Sequence, residues 1–184
     1  RKNREFKHDF KHHLLFIKSL SDNETIIHYI NDLLCERYQI EVIQYTDIIP
    51  INALLSVYGP KAKQHQISVQ LNVESHLKCS LPDYQICSIL ANIYQNAIES
   101  CLSVEKAERY INISISMFNN MLLIEMINPY LGHLIIDEQS QLPRTTKGSD
   151  HGEGLKIVSS IIQKNNGYLK IKTKNNIFKI QICL

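Results

Sequence analysis

Hydrophobic periodicity changes character once along this chain, and that change limits the folds open to it. Through residue 37, apolar residues recur every three or four positions; beyond about residue 46, helical stretches alternate with segments of period two. Phe6, Phe10, His13, Leu14, Ile17 and Leu20 form one stripe, Ser21-Asp22-Asn23 interrupts it, and Ile26, Ile27, Ile30, Leu33 and Leu34 form a second. The spacing predicts two amphipathic helices joined by a tight turn, with Asp22 or Asn23 capping the second. A lone helical hairpin buries too little apolar surface, so pairing with a second copy into a four-helix bundle is expected.

The remainder reads as α and β in alternation. Residues 39–47 mix β-branched and acidic residues and suit a linker or short strand. Residues 51–64 have helical spacing, with Gly59-Pro60 predicted to kink or split the helix. Residues 67–73 alternate as a strand, and Pro82-Asp83 opens a long apolar-periodic helix that runs to Cys101. Residues 110–118 and 121–127 read as strands joined by Asn119-Asn120, a pair that tolerates the left-handed backbone of a tight hairpin. A second hairpin is predicted from 168–173 and 177–183 around Asn175-Asn176. Between them lie an aperiodic segment, 129–151, expected to be an extended mobile loop, and a helix over 155–163 ending near Asn165-Asn166-Gly167. The expected fold class is α+β: the helical hairpin over 1–38, a linker over 39–45, and over 46–184 an α/β sandwich with helices on one face of a mainly antiparallel sheet.

Composition narrows the function classes. At 184 residues, 44% hydrophobic and 21% charged, the chain has an ordinary soluble globular make-up, and no apolar run approaches the ~20 residues of a membrane span. A net charge of +2 gives no case for direct nucleic-acid binding. The five cysteines, with no C-x-x-C pair, read as reduced and mostly buried thiols of a cytoplasmic protein rather than metal ligands. The chain opens without Met or an apolar leader, so a fragment of something longer is expected.

Three motifs carry chemistry. In His8-Asp9-Phe10-Lys11-His12-His13, His8 lies about 200° around the helix from Phe6, nearly opposite the apolar stripe. An exposed imidazole beside a carboxylate suits nucleophilic chemistry, since Asp9 can hold one ring nitrogen and raise the basicity of the other. A plain His-rich polar face, or a metal pair from His8 and His12, remain open from this motif alone. On the long helix, Asn92, Asn96 and Glu99 gather within roughly 60° beside the stripe of Ile86, Ile89, Leu90, Ile93, Ala97 and Cys101. Asparagine is a mediocre helix former, so two spaced one turn apart call for a reason: amide oxygens ligate Mg²⁺ and amide NH₂ groups bond phosphate. Last, Gly152-Glu153-Gly154 opens a helix, where backbone N–H groups can approach an anion, and Thr145-Thr146-Lys147 precede it with further phosphate-binding groups.

In order and spacing these motifs resemble those of histidine kinases with the Bergerat, or GHKL, nucleotide-binding fold, and among them the peptide-pheromone quorum-sensing sensors of Agr-like and Com-like type. Residues 6–13 look like the phosphoacceptor box, 92–100 like the N box and 151–155 like the G2 box. The resemblance implies a dimerisation and phosphotransfer hairpin followed by a catalytic domain that binds ATP and Mg²⁺. His8 would accept the γ-phosphoryl group with Asp9 as acid–base partner; Asn96 would ligate Mg²⁺ and Asn92 would contact phosphate or metal. Asn128 would stand where many relatives place an adenine-binding Asp, Thr146 and Lys147 would lie on an ATP lid, and Gly152 and Gly154 would let that lid pack over the triphosphate. GHKL ATPases carry a water-activating Glu four residues before the metal-binding Asn; here that position is Asn92, a poor general base, which favours an imported nucleophile over water.

The sequence departs from the family pattern at four places. His12 takes the place of a subfamily Asn, and Asn128-Pro129-Tyr130-Leu131-Gly132 replaces D-x-G-x-G. Glu153 separates the G2 glycines, and Gly59-Pro60 falls in a helix the family continues. The expected function is an ATP-dependent protein histidine kinase of a two-component system: a homodimer, the cytoplasmic fragment of a membrane-bound sensor, passing phosphate to an aspartate of a response regulator with a LytTR-type domain. A pseudokinase dimer acting as an interaction scaffold is the alternative.

Overall fold

The computed structural model describes residues 43–132, 134–137, 140, 142–143 and 153–184. The expected helical hairpin over 1–38, with His8 and Asp9, lies outside these residues. Along the described chain run α1 (Ile49–Gln64), β1 (Ser68–Val73), α2 (Asp83–Cys101), a 3₁₀ turn (Lys106–Glu108), β2 (Tyr110–Phe118), β3 (Met121–Pro129), α3 (Glu153–Lys164), β4 (Tyr168–Lys174) and β5 (Ile177–Cys183). The strands form one sheet in the order β1-β2-β3-β5-β4. Only β1 and β2 run parallel, connected through α2, and the other neighbours are antiparallel.

Both Asn-Asn pairs make the hairpins the sequence predicts. Phe118 pairs with Met121 across Asn119-Asn120, and Lys174 with Ile177 across Asn175-Asn176. All four asparagines take positive φ, between 49° and 63°, as the two-residue turns of twisted hairpins require. With the turns fixed, register follows, and every second residue faces the helices. Ile111, Ile113 and Ile115 of β2, Leu122, Ile124 and Met126 of β3, and Ile180 and Ile182 of β5 are all buried. On the opposite face Ser114, Glu125 and Gln181 lie in one row, where Glu125 accepts from Gln181 Nε2 and pairs with Lys179 Nζ, each at 2.8 Å.

The helices close the sandwich. Between α1 and α3 lies α2, its Ile86, Ile89, Leu90, Ile93, Ala97, Ile98 and Cys101 pressed on the sheet, while α3 adds Val158 and Ile162. Asn52 fastens the entering segment to α1: its Oδ1 accepts from the backbone N–H groups of Tyr45 and Thr46, and its Nδ2 donates to the Thr46 carbonyl.

Two expectations are corrected here. Gly59-Pro60 neither splits nor ends its helix, because α1 runs from Ile49 through Pro60 to Gln64. Pro60 is exposed, so the backbone bond its missing N–H removes faces water, while Leu54, Leu55, Tyr58 and Ala62 pack on the inner side. Tertiary packing overrides the local signal. The segment predicted to be extended loop over 129–151 also begins differently. Pro129 still belongs to β3, paired with Ile177, and further on Ile136 bridges to Pro143. There Asp137 N–H donates to the Leu142 carbonyl, Ser140 bonds back to the Asp137 carboxylate, and Leu142 is buried.

Candidate functional site

The buried face of α2 leaves Asn92, Gln95, Asn96 and Glu99 half-buried on the side away from the sheet. Their spacing puts them along one ridge of the helix, as the sequence suggested for Asn92, Asn96 and Glu99. Asn92 Nδ2 donates to the Ser88 carbonyl at 2.7 Å, the backward bond a mid-helix Asn makes. With one amide N–H committed inward, Asn92 still offers a ligand its Oδ1, an acceptor.

That oxygen meets the start of α3. A Cβ added to Gly154 would stand 2.5 Å from Asn92 Oδ1, so glycine is what lets the Asn92 side chain keep this place against α3. Two sequence motifs far apart in the chain thus become one site, and Asn165 Nδ2 ties the other end of α3 to α2 by donating to Gln85 Oε1 at 2.9 Å.

On its other flank α2 meets α1 through polar and aromatic contacts. Lys61 Nζ donates to Gln95 Oε1 at 2.7 Å, and Gln95 Nε2 donates to Glu99 Oε1 at 2.7 Å. The Lys61 ammonium stands 5.3 Å over the Tyr58 ring, and that ring stacks on Tyr94 of α2 with centroids 5.0 Å apart. Burial lowers the Lys61 pKa, and the Glu99 charge opposes the fall. Burial pushes the Tyr58 hydroxyl up to about 12, with Cys87 adding to the rise. Neither Lys61 nor Gln95 was singled out from the sequence; the i, i+4 spacing of Gln95 and Glu99 on a ridge already suspected was the available signal.

Asn128 lies in β3, one residue beyond the strand end read from the sequence, on the inward-facing row after Leu122, Ile124 and Met126. It is 2% exposed, and its Nδ2 donates to the Pro129 carbonyl at 2.9 Å, while its Oδ1 is an acceptor. Thr146, Lys147 and Gly152 are outside the described residues. Among the described residues no group of three His, Cys, Asp or Glu is placed to hold a metal ion. Four cysteines are free thiols, Cys87 and Cys101 buried and Cys79 and Cys183 partly so, while Cys35 is outside the described residues. Among the described residues no helix is long and apolar enough to cross a membrane.

A mixed sheet covered on one face by three helices, with an amide-bearing ridge on the middle helix closed by a glycine at the next helix start, defines a class of nucleotide-binding domain. A family model described as the GHKL domain matches residues 82–184, and the chain belongs to that family. The fold is also that of several solved structures. The catalytic domain of histidine kinase ThkA has a TM-score of 0.59 at 19% identity, over 73% of this chain and 90% of that one. Histidine kinase AdeS of Acinetobacter baumannii gives 0.58 at 17% identity, over 88% of this chain and 78% of that one. The histidine kinase domain of the blue-light-activated EL346 protein of Erythrobacter litoralis gives 0.54 at 14% identity, over 89% and 76%. No curated protein matches the sequence.

Proposed function

We propose that this chain is the transmitter region of a sensor histidine kinase, which phosphorylates its own His8 from Mg²⁺-ATP and passes the phosphoryl group to a response-regulator aspartate. The observation that carries the reading is the approach of Gly154 to Asn92 Oδ1, which joins the N-box and G2-box motifs into one site. The donor set fits the ligand: on one half-buried ridge Asn92 and Asn96 present amides a helical turn apart, and an oxygen of Asn92 faces the helix start. Asn96 would hold Mg²⁺ with Asn92 Oδ1 beside it, and Gly152 and Gly154 would bring backbone N–H groups to the phosphates. Mg²⁺ in such a site neutralises charge on the transferring phosphoryl group. Asn128 Oδ1, its NH₂ held by Pro129, is an acceptor suited to the exocyclic amino group of adenine.

His8 supplies the nucleophile: a ring nitrogen takes the γ-phosphoryl group as ADP leaves, and Asp9 orients the ring through the other nitrogen. Asn92 neither takes a proton nor activates water, which directs the phosphoryl group to His8 rather than to hydrolysis. The helical hairpin would pair two copies into a four-helix bundle; Phe10→Glu or Ile17→Glu is expected to give monomers in light scattering, and unchanged dimers would remove that part. The peptide-pheromone subfamily, a membrane-bound sensor ahead of residue 1 and a LytTR-type regulator complete the proposal, supported by the motif pattern around His8.

The test is labelling from Mg²⁺-ATP with wild type and His8→Gln, and site mapping under alkaline conditions that preserve phosphohistidine. Label on His8 that is lost in the variant is the expected result. Nucleotide binding without label at any concentration of protein would favour a pseudokinase scaffold instead.

A further inference from the structure

The ridge of α2 carries a charge that a nucleotide site has to offset. Glu99 lies three residues beyond Asn96 on the same side of the helix, so its carboxylate would share that site with a polyphosphate and repel it. Lys61, from α1, is a cation hydrogen bonded to this ridge through Gln95, which in turn donates to Glu99. Its position is set by packing. Tyr58 and Ala62, one turn back and one residue on, are buried, and the Tyr58–Tyr94 stack fixes α1 against α2 at this level. The lysine stem therefore starts from a rigid base, while its four carbons let the ammonium move by several bonds' length.

The same packing removes part of the ammonium's hydration, which burial registers as a lowered pKa. A half-desolvated ammonium gains from an anionic oxygen, since charge-assisted bonds to phosphate are roughly twice as strong as a bond to a neutral amide such as that of Gln95. The unbroken passage of α1 through Gly59-Pro60 has a consequence here: a helix that stopped at Gly59 would not carry Lys61 across to Gln95.

We propose that Lys61 is a phosphate-contacting residue, its ammonium leaving Gln95 Oε1 for the β- and γ-phosphates of the bound nucleotide and balancing Glu99. This rests on the nucleotide reading above. The experiment is displacement of the fluorescent analogue trinitrophenyl-ATP by ATP and by AMP, with Mg²⁺, from the full chain as wild type, Lys61→Met and Lys61→Arg. In wild type ATP should displace the probe at far lower concentration than AMP. In Lys61→Met the ratio of AMP to ATP dissociation constants should fall about tenfold, with AMP itself changed less than twofold, and Lys61→Arg should recover most of the ratio. A ratio unchanged in Lys61→Met overturns the proposal, and if ATP and AMP weaken together with a lowered melting temperature, Lys61 only braces α1 on α2. A wild-type chain that binds neither probe nor ATP overturns the nucleotide reading and this inference with it.

Discussion

The two long faces of α2 obey different rules. Toward the sheet, Ile86, Ile89, Leu90, Ile93 and Cys101 are buried and interchangeable in kind, so what they require is volume and apolarity. Away from it, Asn92, Gln95, Asn96 and Glu99 stay half-exposed, the two asparagines lower helix propensity, and Asn92, Gln95 and Glu99 are each tied to a particular atom of a neighbour. A helix that gives up intrinsic stability on one side while packing tightly on the other has its polar side kept for something besides folding. Stability and ligand binding should therefore separate cleanly between the faces.

The largest effect should come from the inner face. Ile89→Ala removes a side chain with no exposure and should cost about 3 kcal/mol in urea unfolding, through lost burial and the cavity left behind. ATP affinity of the fraction that remains folded should be unchanged; a specific loss of affinity would break the division. Gly154→Ala should do the reverse. Its methyl group would displace the Asn92 side chain, weakening Mg²⁺-ATP binding about tenfold, or about 1.4 kcal/mol, in calorimetry while the unfolding midpoint barely moves. Equal affinity in this variant would detach the two motifs from one another.

Tyr94 sits between the faces and sharpens the comparison. Its hydroxyl is buried and, among the described residues, has no hydrogen-bond partner, so Tyr94→Phe should stabilise the fold by about 1 kcal/mol by removing a desolvated polar group. Thermal unfolding that shows a loss instead would reveal a partner for that oxygen. The same ring predicts a pH effect. Burial raises the Tyr94 pKa well above its ordinary value and that of Tyr58 to about 12. Between the ordinary value of 10.0 and these raised ones the unfolded chain ionises first and binds fewer protons, so stability is complete below pH 10.0 and falls as pH rises above it. Tyr94→Phe should make that alkaline fall shallower, and an unchanged slope would assign it to other groups.

Much of the inner architecture was legible because it rests on repeated signals. The apolar stripe of α2 recurs at helical spacing over five turns, and Pro82-Asp83 marks its start at the residue where the helix begins. Both hairpins were legible because Asn-Asn pairs satisfy a backbone requirement that most residues meet poorly. Gly59-Pro60 misled for the opposite reason: local chemistry argued for a break, and the deciding term was the burial of Leu54, Tyr58 and Ala62, which depends on the sheet and on α2. At the site, Asn92 and Asn96 announced themselves by their spacing on a helix. Lys61 gave no such signal, since its role arises only when α1 is laid beside α2, a contact between segments distant in sequence.

The claim on which the rest depends is that the polar ridge of α2 holds a nucleotide through a cation bound by Asn96. Calorimetric titration of ATP into wild type and Asn96→Ala, each with Mg²⁺ and with chelator, tests it directly. The account predicts that Mg²⁺ strengthens binding at least tenfold in wild type and less than twofold in Asn96→Ala, with equal unfolding midpoints for the two proteins. Binding that Mg²⁺ strengthens equally in both would contradict it.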